Sequence, residues 1–264
     1  MKDQTAEMAP ETLEGWYALH QIFRIDRERN MPAGNAESEV FRKRDETEGW
    51  SEAVTLIGGT SDVMFIHLRP TLDAIGEVQR ELAAQPWMRR LQPTYAFLSV
   101  TEAGLYHMTA KLAEEALARG GAPGDADHVA AVKAKAATEA DNPYVRRRLY
   151  PQRPDTMPYV SFYPMSKRRA VGQNWYSLPI TERSRLMHEH GLSGRRYAGR
   201  VQQVITGAIG FDAWEWGVTL FAADPLDFKK IVSEMRFDVA SAEYADFGPF
   251  YVGKVGTLTE VLGG

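Results

Sequence analysis

The feature that most constrains this chain is a repeated order of elements. Phe65-Ile66-His67-Leu68-Arg69-Pro70-Thr71-Leu72 and Leu220-Phe221-Ala222-Ala223-Asp224-Pro225-Leu226 each read as an apolar strand running through a proline into a helix. Proline ends a strand because it has no N–H for the ladder, and its fixed φ suits the start of a helix. In the first half, aromatic and β-branched content predicts strands over 16–25, 63–68 and 95–100. A charged, helix-compatible stretch covers 36–53, and Leu72, Ile75, Val78 and Leu82 recur at helical spacing after Thr71. The second half repeats the rhythm more clearly. Strands are predicted over 159–163, 201–205, 214–221 and 250–255, with a helix over 180–190 closed by Gly191. Another helix opens with Asp224 as cap and Pro225 in its first turn, and Leu226, Ile231, Val232 and Met235 form its apolar side.

The order β-α-β-β-α-β is the ferredoxin-like unit. Two such units whose sheets pack together predict an α+β fold, a dimeric α+β barrel made within a single subunit. The expected organisation is a flexible tail at 1–12, one unit at 13–142 and a second at 143–264. An alanine-rich insertion at 108–141 reads as helical, with a mobile middle around Gly120-Gly121-Ala122-Pro123-Gly124.

Composition narrows the chemistry. The 264 residues include no cysteine, which excludes disulfides, a thiolate nucleophile, iron–sulfur clusters and cysteine-ligated zinc. A net charge of −4 argues against a nucleic-acid partner. The polar, acidic first ten residues do not read as a signal peptide, and no apolar run is long enough to span a membrane, so a cytoplasmic protein is expected. No dinucleotide-binding or Walker glycine loop, HExxH or GxSxG is present.

Against that background one segment is basic. Between Pro143 and Arg169 stand Arg146, Arg147, Arg148, Arg153, Lys167, Arg168 and Arg169, with Asp155 the single acid. Such a run fits a solvated charged face, a short nucleic-acid strip, or a pocket for a small polyanion, since arginine forks match carboxylates. Tyr163 lies between the arginine groups. His188 and His190 are two residues apart on a predicted helix, about 200° of rotation, so they cannot share a metal ion. His190 falls on the side of Leu186 and Met187, as either a core histidine or a single axial ligand of haem type. In Val201-Gln202-Gln203-Val204-Ile205 each strand face carries one glutamine, so alternation alone does not say which is inside.

Several motifs in fixed order then carry a resemblance: Phe162-Tyr163-Pro164-Met165-Ser166-Lys167-Arg168-Arg169, Asn174-Trp175-Tyr176, His190-Gly191, Gly194-Arg195, Tyr197-Ala198-Gly199, Val201-Gln202-Gln203, Trp214-Glu215-Trp216-Gly217-Val218, and Glu234-Met235-Arg236-Phe237-Asp238 leading to Ser241 and Tyr244. The chain resembles the coproheme decarboxylases of the chlorite dismutase-like superfamily, most strongly from Arg146 to Gly253. The resemblance implies oxidative removal of carbon dioxide from two propionates of iron-coproporphyrin III with hydrogen peroxide, giving haem b. It implies His190 as axial iron ligand and Tyr163 as the catalytic tyrosine, whose radical takes hydrogen from a propionate. Lys167 and Arg148 would hold or protonate propionates, and Ser241 would bond another. Met165 and the backbone of Tyr163, Pro164, Ser166 and Lys167 would line the pocket. Gln203 would be the distal glutamine, and Tyr106 a pocket tyrosine. Assembly as a homopentamer and transient contact with the coproporphyrin ferrochelatase are implied as well. The rival readings are a chlorite dismutase-like enzyme, which would place an arginine where Gln203 stands, and a non-catalytic haem carrier or sensor, which would need His190 but not Tyr163.

Overall fold

The computed structural model describes residues 8–28, 36–42 and 47–263. The first unit comprises β1 (Thr12–Ile25), the single turn α1 (Glu39–Arg42), β2 (Trp50–Leu56), β3 (Val63–Arg69), α2 (Leu72–Ala83) and β4 (Leu91–Gly104). Three helices follow: α3 (Tyr106–Ala118), α4 (Ala126–Ala140) and α5 (Pro143–Leu149). The second unit contains β5 (Tyr159–Lys167), the small hairpin β6 (Arg169–Ala170) and β7 (Gln173–Asn174), α6 (Ile180–Arg195), β8 (Val201–Gly207), β9 (Trp216–Ala222) and α7 (Leu226–Met235). It ends with α8 (Val239–Ala242), β10 (Ala245–Phe247), β11 (Tyr251–Gly256) and α9 (Leu258–Val261).

Each unit has the same strand arrangement, β4-β1-β3-β2 in the first and β11-β5-β9-β8 in the second, antiparallel throughout. The two sheets join where β2 meets β11 and where β4 meets β8. Pairing therefore returns to its start, and closure removes the free edges that a half-sheet would expose. The inner face buries Trp16, Ile22, Trp50, Met64, Phe97, Phe162 and Phe221, contributed from around the whole circuit. The outer face of the first unit packs Phe65 against Val78 and Leu82 of α2. The outer face of the second packs Val218 and Leu220 against Phe228 and Ile231 of α7. The two-unit α+β barrel expected from the repeated order is the fold observed.

Several local expectations change. Most of 36–53 is not helical: α1 is one turn, Trp50 to Ala53 belong to β2, and 43–46 lie outside the described residues. Residues 50–54 are buried on both faces of the sheet wall, so the alternation that marks a half-exposed strand is missing. α6 does not stop at Gly191 but continues to Arg195, because Gly191 keeps a helical backbone rather than a positive φ. β9 starts at Trp216, two residues later than expected, and Pro225 caps α7 rather than lying within it. Asp224 does act at that end, accepting from Leu226 N at 2.9 Å. The alanine-rich segment forms α3 and α4 with a turn between them, where the Asp125 carboxylate accepts from the N–H groups of Ala122 and His128. Of the segment expected as a tail, residues 1–7 lie outside the described residues. Glu11 N donates to Thr109 Oγ1 at 2.9 Å, and Arg183 donates to the Met8 carbonyl.

Candidate active site

Alternation along β5 sends Phe162 into the barrel and turns Tyr163, Met165 and Lys167 outward, under the helices of the second unit. The adjoining strands extend this floor in register, with Tyr163 opposite Val218 and Val218 opposite Ile205. Met165 lies opposite Trp216, which lies opposite Gly207. On β8, Val204 belongs to the barrel interior while Val201 and Ile205 belong to the outer cluster. Gln203 therefore faces the outer floor. Gln202 is fixed elsewhere, donating to the Gln152 carbonyl at 2.6 Å.

α6 crosses above this floor. A Cβ placed on Gly194 would lie 3.1 Å from Gln203 Nε2 and 3.1 Å from Met235 Cε, so the absent side chain lets the helix approach β8 and α7. One turn earlier on the same helix face stands His190. Its Nδ1 is 2.9 Å from Asp238 Oδ2, and Ser241 Oγ is 3.4 Å from the same nitrogen. Asp238 also caps α8, accepting from Ser241 N at 2.9 Å. Burial would raise the Asp238 carboxyl, but the hydrogen bonds and charge of His190 and the bonds from Ser241 outweigh it and leave it below the usual carboxylate range. A carboxylate on Nδ1 fixes the ring and leaves Nε2 as the nitrogen available to a metal. His188, by contrast, is exposed.

Tyr163 is buried, its ring stacked on Phe250 with centroids 4.4 Å apart and flanked by Phe247 at 5.9 Å. Burial pushes its phenol upward, only partly countered by Arg236. The phenol thus holds its proton at any working pH, the state from which an electron and a proton leave together. Lys167 Nζ donates to the Ala240 carbonyl at 2.8 Å and lies 4.1 Å from the centre of the Trp175 ring. Tyr106 meets the other side of this cluster, with its ring 6.3 Å from Trp175. Arg148 reaches it from α5, donating to the Glu102 carbonyl at 3.5 Å; the Glu102 side chain accepts from Trp216 Nε1 at 2.7 Å. Pro164 and Ser166 alternate away from this face. Ser166 Oγ accepts from Glu215 N at 3.2 Å, and the Pro164 carbonyl accepts from Gly248 N at 2.8 Å.

The basic run does not converge on one pocket. Arg153 is buried against Glu52 at 2.8 Å, Arg168 pairs with Asp246 at 2.8 Å, and Arg146 and Arg147 point to solvent. Lys167 lies on the outer face of β5, Arg148 donates to the Glu102 carbonyl, Arg169 lies 3.9 Å from Glu215, and Arg236, from outside the run, sits 3.6 Å above the Phe247 ring. Sequence reasoning assigned no role to Arg236 or Asp238. For Asp238 a signal existed, because an aspartate three residues before Ser241 is a helix-capping pattern. One nitrogen ligand, a buried tyrosine and dispersed cations suit an iron porphyrin with carboxylate arms: His190 would hold the iron, and Lys167, Arg148, Arg236 and Ser241 the carboxylates.

Comparison with known proteins gives the family of the chain. The family model described as chlorite dismutase matches residues 32–256. A coproheme decarboxylase from Staphylococcus saprophyticus is 39% identical over 261 residues, covering 94% of this chain and 95% of that protein. A haem-binding protein from Thermus thermophilus superposes with a TM-score of 0.76 at 39% identity, over 97% of this chain and 96% of that one. A mutant chlorite dismutase from Candidatus Nitrospira defluvii, at 17% identity, shares the fold with a TM-score of 0.68 over 98% of each chain. With its two-unit barrel, its histidine above the second sheet and a family match over most of its length, the chain belongs to the chlorite dismutase family.

Proposed function

We infer that the protein is a peroxide-dependent coproheme decarboxylase, converting two propionates of iron-coproporphyrin III to vinyl groups and yielding haem b. The observation that carries this reading is the outer face of the second sheet, on which β5 presents Tyr163, Met165 and Lys167 at alternate positions and which α6, the helix that bears His190, approaches where Gly194 meets Gln203. Each decarboxylation consumes one hydrogen peroxide and one proton and releases carbon dioxide and two waters. Peroxide supplies the two oxidising equivalents, and the iron porphyrin, when bound, would make them available to the site.

The protein's own groups handle position, hydrogen and protons. His190, oriented by Asp238, would hold the iron through Nε2. Lys167, Arg148, Arg236 and Ser241 would hold the carboxylates, and Gln203 would line the site from β8. Tyr163 would lose its phenolic hydrogen and regain one from the propionate carbon next to the ring, one oxidising equivalent; departure of the second electron to the peroxide-derived oxidant as the carboxylate leaves as carbon dioxide then completes the vinyl group. Tyr106 packs beside Trp175 as part of the wall. The barrel units at 13–142 and 143–264, a homopentameric assembly, contact with the ferrochelatase and a cytoplasmic location belong to the same reading by resemblance. Among the described residues, no helix is long and apolar enough to cross a membrane.

The test adds iron-coproporphyrin III to purified protein and titrates peroxide while pigments are followed by mass. Wild type should lose two carbon dioxide equivalents, and Tyr163→Phe should bind the substrate with an unchanged Soret band yet lose none. Equal conversion by both would sink the tyrosine's role. His190→Ala should fail to shift the Soret band at concentrations that saturate wild type.

A further inference from the structure

Glu215 is buried beside the candidate site, and the reaction as described gives it no role. It sits just before β9, and its groups bind the end of β5 at three points. Its Oε2 accepts from Lys167 N at 2.8 Å, and its backbone N donates to the Met165 carbonyl at 3.1 Å and to Ser166 Oγ at 3.2 Å. Its own carbonyl accepts from Ala208 N at 2.7 Å, tying this junction to the chain after β8. Tyr176 bonds to its carboxylate, and Arg169 lies 3.9 Å away. A carboxylate so enclosed is retained at a cost in desolvation, and it holds the backbone of Lys167 directly while lying in reach of the Arg169 guanidinium.

Every element packed against Lys167 contributes to its charge balance. Trp175 lies under the ammonium and the Ala240 carbonyl of α8 accepts from it, while Asp238 and Glu215 supply negative charge. Asp238 is already committed to His190. We propose that Glu215 is a positioning residue that fixes the strand end from which Lys167 reaches a substrate carboxylate and sets a negative charge near its ammonium. This rests on the reading of Lys167 as a propionate-binding group. It separates two functions of the site's carboxylates: Asp238 sets the iron ligand, and Glu215 sets the cation.

The test uses the whole protein with ¹⁵N-labelled lysine, the Lys167 Nζ resonance being identified by its loss in Lys167→Met. In Glu215→Gln, which keeps the shape and an acceptor but removes the charge, the Lys167 ionisation should fall by about one pH unit. Glu215→Asp should restore much of that fall. Affinity for iron-coproporphyrin III at pH 7.5 should drop several-fold in Glu215→Gln, and this drop should vanish in a Lys167→Met background. An unmoved Lys167 titration in Glu215→Gln would overturn the proposal, as would an affinity loss that persists without Lys167. If Lys167→Met itself leaves affinity unchanged, Lys167 does not bind the substrate, and the functional half of the proposal falls with that assignment. Thermal unfolding of each variant separates these results from simple loss of fold.

Discussion

At the scale of single residues, Lys167 shows how the site opposes the fold. Burial pushes its ammonium down to about 8, with Asp238 and Glu215 pulling the other way. Between that value and the ordinary 10.5 of a free lysine, the unfolded chain binds more protons than the folded one, so stability rises with pH across this window. Below pH 8 the buried charge opposes folding in full. Lys167→Met is therefore expected to raise the melting temperature of the substrate-free protein at pH 7, with the gain shrinking as pH climbs from 8 to 10.5. The same change should weaken binding of iron-coproporphyrin III, read by Soret titration, most strongly below pH 8, where wild-type Lys167 is charged. A residue that destabilises the free protein yet aids binding is a common signature of a functional group.

At the scale of elements, two placements can be broken by one substitution. Gly194 sets the approach of α6 to β8. Gly194→Leu should push the helix away from Gln203 and Met235, separating His190 from the floor, and lower affinity for iron-coproporphyrin III by tenfold or more while the far-UV spectrum is unchanged; each tenfold is about 1.4 kcal/mol. The link between α5 and β5 is held by Arg153, whose side chain and that of Glu52 are each 7% exposed. Trp50 Nε1 bonds the Pro151 carbonyl at 2.7 Å in the same link. Arg153→Met would take the guanidinium away from the buried Glu52 carboxylate and should lower stability by roughly 3 kcal/mol in chemical denaturation. Arg153 was counted with the basic run, but its partner lies a hundred residues upstream on β2, and no spacing rule reveals a pair that distant. The structural place of Arg153 was not legible, because burial against Glu52 is a property of barrel closure.

At the scale of the whole molecule, the barrel has an uneven circuit. β1 and β4 pair along nearly their full lengths, whereas β4 and β8 are joined only by Val100 with Gly207 and Thr101 with Thr206. This seam links the two units on the side of the candidate site. Native-state hydrogen exchange should show the amides of these pairs opening at lower free energy than those between β1 and β3. Equal protection at both places would show that the units open only together.

The sequence by itself determined the two-unit order and the absence of thiol chemistry. These follow from local rules: prolines between strand and helix, period-two alternation, and a composition without cysteine. Local rules also gave His190 and His188 opposite directions, which the helix keeps. Tertiary structure decided which glutamine faces the outer floor, where α6 ends, and which basic residues are buried in ion pairs. Gln202 and Gln203 are equivalent until a barrel interior exists to distinguish two faces. The carboxylates of Asp238, Glu215 and Glu52 acquire partners only when distant segments meet. Charge in a sequence is a count, whereas charge in a fold depends on which opposite charge lies within a few ångströms and how little water lies between.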